Sequence, residues 1–395
     1  MVCYFTQNHR KSLPKSSLYR TDCRPMDLAF NEDQEAIREE FRRVLASSSA
    51  RTGLECIEAK ASCDQTLWQT LAETGWLGAG LSEDNGGSDL GDVTLCLLAE
   101  EIGRQGVAVP FTASACGFAT GLARSGATAA IAQWLPQIAD GSAIGTVLLP
   151  SDWKTPAQVS ESGDGQARLS GTTQFIRDGA ASTVALSLIG SGENSHLVLL
   201  PLVDGVRAPD LERTLDLLHP PAAFEFDHQP IVILASGAAA ETQWQALIDR
   251  YGLYAAFEQL GGAQAALQMA REYSLTRYAF GRAIGSFQAL KHSMADMLAA
   301  IEMARSNCYF GAASLDGAAD QLREATAVAR ISATEAFRLC ARQNIQIHGG
   351  IGITWESDAQ LYYRRAQSLA SSPGSSTFWK ERLMQLLIRH HTPTT

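Results

Sequence analysis

Two short stretches carry residue types that could grip a phosphorylated cofactor. The first is Arg277-Tyr278-Ala279-Phe280-Gly281-Arg282, followed by Phe287-Gln288. A guanidinium fork matches a pyrophosphate, and glycine lets a ligand approach the backbone. As bare residues, the same stretch equally makes a turn with a glycine stop and exposed arginines. The second is Gln346-Ile347-His348-Gly349-Gly350-Ile351-Gly352, with Thr354 and Glu356 just after. Its glycines end a helix and open a loop of close approach, which suits a cofactor edge or a plain interhelical turn. His348 is a poor metal candidate, because no other His, Cys or acid stands at ligand spacing; no metal is expected. Asn85-Gly86-Gly87 is a weak signal, and His390-His391 reads as a tail. Glu258 lies in the apolar run Ala255 to Gly261. Lone buried carboxylates are costly, so a paired structural glutamate is favoured over a base, with Glu258 kept as the reserve catalytic candidate.

The elements that must position these residues fall into three blocks. From Met26 to Gly141 the pattern is helical. Asn31 with Gln34 reads as a capping box, followed by Ile37, Phe41, Val44 and Leu45 at helical spacing. Leu67, Trp68 and Leu71 make a short apolar face, and Leu95 to Ile102 another after the Ser82 to Gly87 loop. Residues 142–237 read as a middle β domain. Ile144 to Leu149, Gln174 to Ile176, Thr183 to Ile189, His196 to Pro201 and Ile231 to Leu234 are β-prone runs, with turns at Ser162 to Gly165 and Gly190 to Glu193. Residues 238–395 are helical again. Leu290, Met294, Met297, Ile301, Ala304 and Cys308 mark a long bundle helix with a coiled-coil-like seam. The expected class is α+β, with an amino-terminal helical domain (26–141), the β domain and a carboxy-terminal four-helix bundle. No G-x-G-x-x-G follows a strand and no G-x-x-x-x-G-K-[ST] occurs, which argues against the usual nucleotide loops.

Composition narrows the function classes. The 395 residues hold 32 Lys and Arg against 42 Asp and Glu, a formal charge of −10, so most of the surface would repel a polyanion and nucleic acid is not expected. The apolar runs Gly145 to Pro150 and Leu197 to Val203 fall far short of the roughly 20 residues that cross a bilayer, so no membrane partner is expected. Eight cysteines without a C-x-x-C pair suit reduced thiols and a cytoplasmic location. Residues 1–25 are basic but lack an apolar h-region. They read as a leader, with a mitochondrial type the minor alternative, or as a stretch ahead of a start at Met26, without fixed structure in either case.

In this order and on this layout, the segments from about Leu28 onward resemble the acyl-CoA dehydrogenase family. Arg277-x-x-Phe280-Gly281 with Phe287-Gln288-Ala289 looks like its flavin clamp, and Gln346 to Glu356 is similar to its adenine-side loop. The resemblance implies FAD as cofactor, with Arg277, Phe280, Gln288, Gln346, Gly349 and Gly350 as cofactor-binding residues. It also implies α,β-dehydrogenation of an acyl-CoA thioester, an electron-transfer flavoprotein as acceptor, and FAD shared across a subunit interface. Arg277 and the Gln346-x-x-Gly349-Gly350 group would reach the FAD held mainly by the neighbouring subunit.

The sequence departs from that pattern where the chemistry would lie. Laid without gaps from Glu356 through Arg364 and Ala366, the family's usual glutamate base falls on Pro373, which supplies neither a carboxylate nor a backbone N–H. An alternative base position falls near Tyr251, and Asp249 beside it reads as a helix-start cap. Leu149-Pro150-Ser151-Asp152-Trp153-Lys154-Thr155 replaces the hydroxyl- and glycine-rich stretch that contacts the flavin ring in the family. This asymmetry resembles the base-lacking subunit of bacterial heteromeric acyl-CoA dehydrogenases of steroid side-chain breakdown. The catalytic residue is then unknown in this chain, and a homologous subunit is the expected partner in a heterotetramer. Two alternatives stay open: an active homotetramer with a relocated carboxylate, and a flavin-free silent scaffold.

Overall fold

The computed structural model describes residues 30–161, 166–202, 206–207 and 214–391. The reading of residues 1–25 and Met26, and the turn at Ser162 to Gly165, lie outside the described residues. The first block holds α1 (Glu32–Leu45), α2 (Ala50–Glu58), α3 (Gln65–Glu73), α4 (Gly91–Gln105), a π-helical segment at Thr112–Phe118, α5 (Ala119–Ala123) and α6 (Thr128–Ala139). The capping box closes as expected: Asn31 Oδ1 accepts from the Gln34 N–H at 2.8 Å, and Asn31 N–H donates to Gln34 Oε1 at 3.0 Å.

The middle block holds β1 (Gly145–Leu148), β2 (Gln158–Glu161), β3 (Ala167–Thr172), β4 (Val184–Ile189), β5 (His196–Pro201), β6 (Val206–Arg207), β7 (Ala222–Ala223), β8 (Glu225–Pro230) and β9 (Val232–Ser236). A mixed sheet runs β1-β4-β5-β9, with β1 and β4 parallel, and an antiparallel sheet runs β2-β3-β8. The run Gln174 to Ile176 is no strand. Only Ile176 forms an isolated bridge, to Ala222, and the segment is a loop along a cavity wall. The short strands β2, β3 and β8 went unpredicted because their polar or half-exposed residues give no apolar alternation.

The last block holds α7 (Gly237–Thr276), the hairpin β10 (Tyr278–Ala279) and β11 (Arg282–Ala283), then α8 (Gln288–Ala313), α9 (Ala319–His348), α10 (Asp358–Leu369) and α11 (Ser376–His391). The α8 seam is as read: Met297, Ile301, Ala304 and Cys308 are buried. Asp249 is no helix-start cap, because α7 begins at Gly237 and Asp249 lies well inside it; its carboxylate takes Arg323 and Arg382 instead.

Helices α4 and α7 cross with their backbones in contact. A Cβ on Gly103 would lie 1.8 Å from the Glu258 carbonyl oxygen, and one on Gly261 1.8 Å from that of Glu100. Glycine at both positions is therefore a packing requirement, and the crossing seats Glu258 in the core. The described cysteines 56, 63, 96, 116, 308 and 340 are free thiols, all but Cys56 buried. No helix among the described residues is long and apolar enough to cross a membrane.

Candidate active site and cofactor-facing surface

The two glycine-bearing motifs meet on one surface. Helix α7 ends at Thr276 and the chain reverses through β10 and β11 over Phe280 (φ 53°) and Gly281 (φ 80°). Positive φ at both central residues is what a tight hairpin turn requires, and phenylalanine seldom adopts it. The turn leaves the Phe280 ring 95 % exposed. Arg282 lies over the Phe287 ring at 4.1 Å, just ahead of Gln288 at the start of α8. Helix α9 ends at His348, whose ring stacks on Tyr273 of α7 at 4.2 Å between centroids. That stack joins the ends of α7 and α9 and so draws the Gly349-Gly350 loop toward the Arg277 hairpin. Arg277, Phe280, Gln288, Gln346, Gly349 and Gly350 are all exposed. Gly349 and Gly350 have open space where a side chain would stand. The Arg277 guanidinium bonds to none of the described residues.

The second feature faces inward. A cavity of about 540 Å³ lies between the β domain and the helices, lined among others by Asp152, Phe175, Arg177, His219, Tyr251 and Ser372. The segment Leu149 to Thr155 folds as a short 3-10 turn at Pro150–Asp152, where the Leu149 N–H donates to Asp152 Oδ2 at 2.8 Å. Burial pushes the Asp152 carboxyl up to about 6.

Behind the cavity wall, Glu258 is 1 % exposed and Oε1 accepts from Arg365 Nη2 at 2.7 Å and Arg177 Nη2 at 3.2 Å. Burial alone would raise its pKa, but the Arg177 and Arg365 guanidiniums outweigh burial and hold it at about 2. The Glu258 carboxylate is thus paired, tied to the β domain through Arg177 and to α10 through Arg365. Arg365 Nη1 meets His219 Nε2, and His219 Nδ1 meets Asp178 Oδ1 at 2.5 Å. A guanidinium only donates, so Nε2 accepts, Nδ1–H donates to Asp178, and the imidazole is neutral. Burial, then Arg177 and Arg365, lower the His219 pKa in the same sense.

Pro373 sits in the turn between α10 and α11. Its carbonyl oxygen accepts from Trp379 Nε1 at 2.9 Å, and the buried Arg330 donates to Leu369 O at 3.0 Å nearby. Tyr251 lines the cavity but, being a buried phenol with a raised pKa, offers no base near neutrality. Sequence reading missed Arg177, Asp178, His219, Arg365 and Trp379. Arg177 and Arg365 lie 81 and 107 residues from Glu258, and His219 lies 41 from Asp178, so no local spacing signals these pairings; Trp379 is six residues from Pro373, but it bonds a backbone carbonyl, which no side-chain pattern announces.

Residues 31–142 match the family model "Acyl-CoA dehydrogenase, N-terminal domain" and residues 246–386 "Acyl-CoA dehydrogenase, C-terminal domain". The chain is 29 % identical to acyl-CoA dehydrogenase IpdE2 of Mycobacterium tuberculosis, over 86 % of this chain and 92 % of that protein. Among solved structures it resembles a variant of the Tcur3481-Tcur3483 steroid ACAD, with a TM-score of 0.79 and 28 % identity, covering 91 % of this chain and 98 % of the other. It also shares its fold with the ChsE4-ChsE5 complex of Mycobacterium tuberculosis, with a TM-score of 0.82 and 24 % identity over 93 % and 100 % of the two chains.

Proposed function

Because the chain belongs to the acyl-CoA dehydrogenase family, we propose that it serves as the subunit without a catalytic base in a heteromeric, FAD-dependent enzyme that desaturates a bulky acyl-CoA. The observation that carries this reading is the contrast between its two sites. The cofactor-facing residues point outward, with Phe280 95 % exposed and Arg277 unbonded among the described residues, while the reserve base Glu258 is buried under two guanidiniums.

Arg277, Phe280, Gln288, Gln346, Gly349 and Gly350 fit a group presented by another chain. The free guanidinium would hold a pyrophosphate, the Phe280 ring would cover an apolar edge, and the open glycine loop would admit the adenine side. Bound there, FAD supplies the acceptor for the β hydride. The chain's own cavity suits that group poorly, since the charged Arg177 and Asp178 line it, with Glu258 paired to Arg177 behind them, and the Pro150–Asp152 turn replaces the expected hydroxyl cradle.

No proton-abstracting group is assigned to this chain. Pro373 has no acid, and a carboxylate held at about 2 between two arginines is a weak proton acceptor. The base and the main flavin pocket would come from a homologous subunit, with electrons leaving to an electron-transfer flavoprotein. A steroid-type acyl group is favoured by similarity to the two-component steroid ACAD.

The test is to purify the chain alone and with a homologue that keeps the glutamate. The expected result is a colourless chain alone and a yellow complex with one FAD per pair. In the complex, Arg277→Ala should weaken FAD binding about 10- to 100-fold, the range expected for a charge-assisted bond of ~1.5–3 kcal/mol. A stoichiometric flavin in the chain alone, reduced by acyl-CoA, would instead establish the active homotetramer. A flavin-free complex would establish the scaffold.

A further inference from the structure

Two side chains that no step of the proposed function uses open on the inward cavity of about 540 Å³. Tyr251 is a buried phenol on its wall, and the hydroxyl bonds to none of the described residues. Its ring packs on Gly117 of the π-helical segment, where a Cβ would come within 2.8 Å of Cδ2, so the phenol is held in one orientation. Asp152 lines the same cavity and is fixed twice: the Leu149 N–H donates to Oδ2, and the Gln174 N–H donates to its backbone carbonyl, each at 2.8 Å. The other carboxyl oxygen, Oδ1, bonds to none of the described residues. Burial brings that carboxyl up to about 6; burial also raises the Tyr251 phenol, and the nearby Asp152 charge adds to the rise. A carboxyl kept neutral by its setting donates a hydrogen bond rather than only accepting one.

The rest of the lining says what kind of molecule fits. Val147, Phe175, Ile176, Leu215 and Pro221 are apolar, and Phe175 and Leu215 are more than half exposed. With His219 neutral, the charged lining is Asp152, Asp178 and Asp216 against Arg177, so three acids face one guanidinium and an anion is disfavoured. Burial opposes the charge on Asp178, but the His219 N–H and the Arg177 guanidinium hold it ionised. We propose that this cavity is a binding site for a neutral, apolar molecule bearing a ketone or aldehyde carbonyl, whose oxygen accepts from the Tyr251 hydroxyl and the Asp152 carboxyl. Its hydrocarbon body would lie along the Phe175 and Leu215 side. An amine is the opposite case, since it calls for Asp152 in its ionised form. The inference rests on the reading above only in taking the chain's own cavity not to hold flavin.

The experiment uses the full-length chain, with 2-acetylnaphthalene as probe and 2-ethylnaphthalene, which lacks the carbonyl, as control. Equilibrium dialysis across the pH range reads affinity, and the infrared band of the bound ketone reads its hydrogen bonds. The ketone should bind more tightly than the control, with its C=O band moved to lower wavenumber. Its affinity should fall about tenfold from pH 5 to pH 7, since the donating form of an acid with a pKa of about 6 drops from roughly nine-tenths to one-tenth over that interval. Asp152→Asn keeps an acceptor for the Leu149 N–H and an N–H donor for the ketone, and should bind without pH dependence. Tyr251→Phe should weaken the ketone about three- to tenfold, the loss of one hydrogen bond, with the control little changed. Equal affinity for ketone and control, an affinity that rises with pH, or a slope that persists in Asp152→Asn would each overturn the site. Should neither variant fold, the pH slope and the infrared shift of the unsubstituted chain decide. Flavin retained by the chain alone would overturn this inference and the functional reading together, whereas a flavin-free chain blind to the carbonyl overturns this inference alone.

Discussion

Replacing Glu258 by glutamine separates a structural carboxylate from a relocated base. The group is 1 % exposed, and its folded-state pKa of about 2 lies below the ordinary 4.5. That depression of about 2.5 units, at 1.36 kcal/mol per unit, makes the charged form worth about 3 kcal/mol to the folded state. Breaking a buried pair by removing one partner costs about 3–5 kcal/mol, which agrees in size. Because the folded pKa is depressed, the contribution is complete above about pH 5 and fades as pH falls through the unfolded value toward 2. Glu258→Gln should thus melt well below the unsubstituted chain at pH 7, by about 5 °C given roughly 2–4 °C per kcal/mol in smaller domains and less in a chain of this length. The gap should narrow steadily between about pH 5 and pH 3. The assay is a pair of thermal melts across that range, on the complex, alongside acyl-CoA turnover. Equal melting temperatures at pH 7 with turnover abolished would refute the structural assignment and make Glu258 the base.

Two further outcomes follow from the packing. Gly261→Ala should be worse than an ordinary helix Gly→Ala change, costing more than about 3 kcal/mol or preventing folding, because its Cβ would meet the Glu100 carbonyl at 1.8 Å. Soluble yield and denaturant midpoint measure it, and a stabilised variant would show that α4 and α7 do not cross there. Asn31→Ala should cost about 1 kcal/mol through loss of the reciprocal cap, read as faster amide exchange confined to α1.

What the sequence disclosed divides along the distance over which the cause acts. The α1 cap, the α8 seam and the glycines that end α9 are fixed within a turn or two of the chain, so residue spacing alone predicts them. The hairpin at Phe280-Gly281 carries its signal in two adjacent residues. The inward cavity is assembled from β-domain loops, α7 and α10, with Arg177 and Arg365 meeting on one carboxylate from opposite directions. No local period encodes such a meeting. A reading from sequence could see that Glu258 was too apolar in setting to stay unpaired, but not which cations would pair it. The same limit explains the strand misread at Gln174 to Ile176. Its apolar residues face a cavity rather than a neighbouring strand, and β-propensity describes a half-buried surface without naming what covers it.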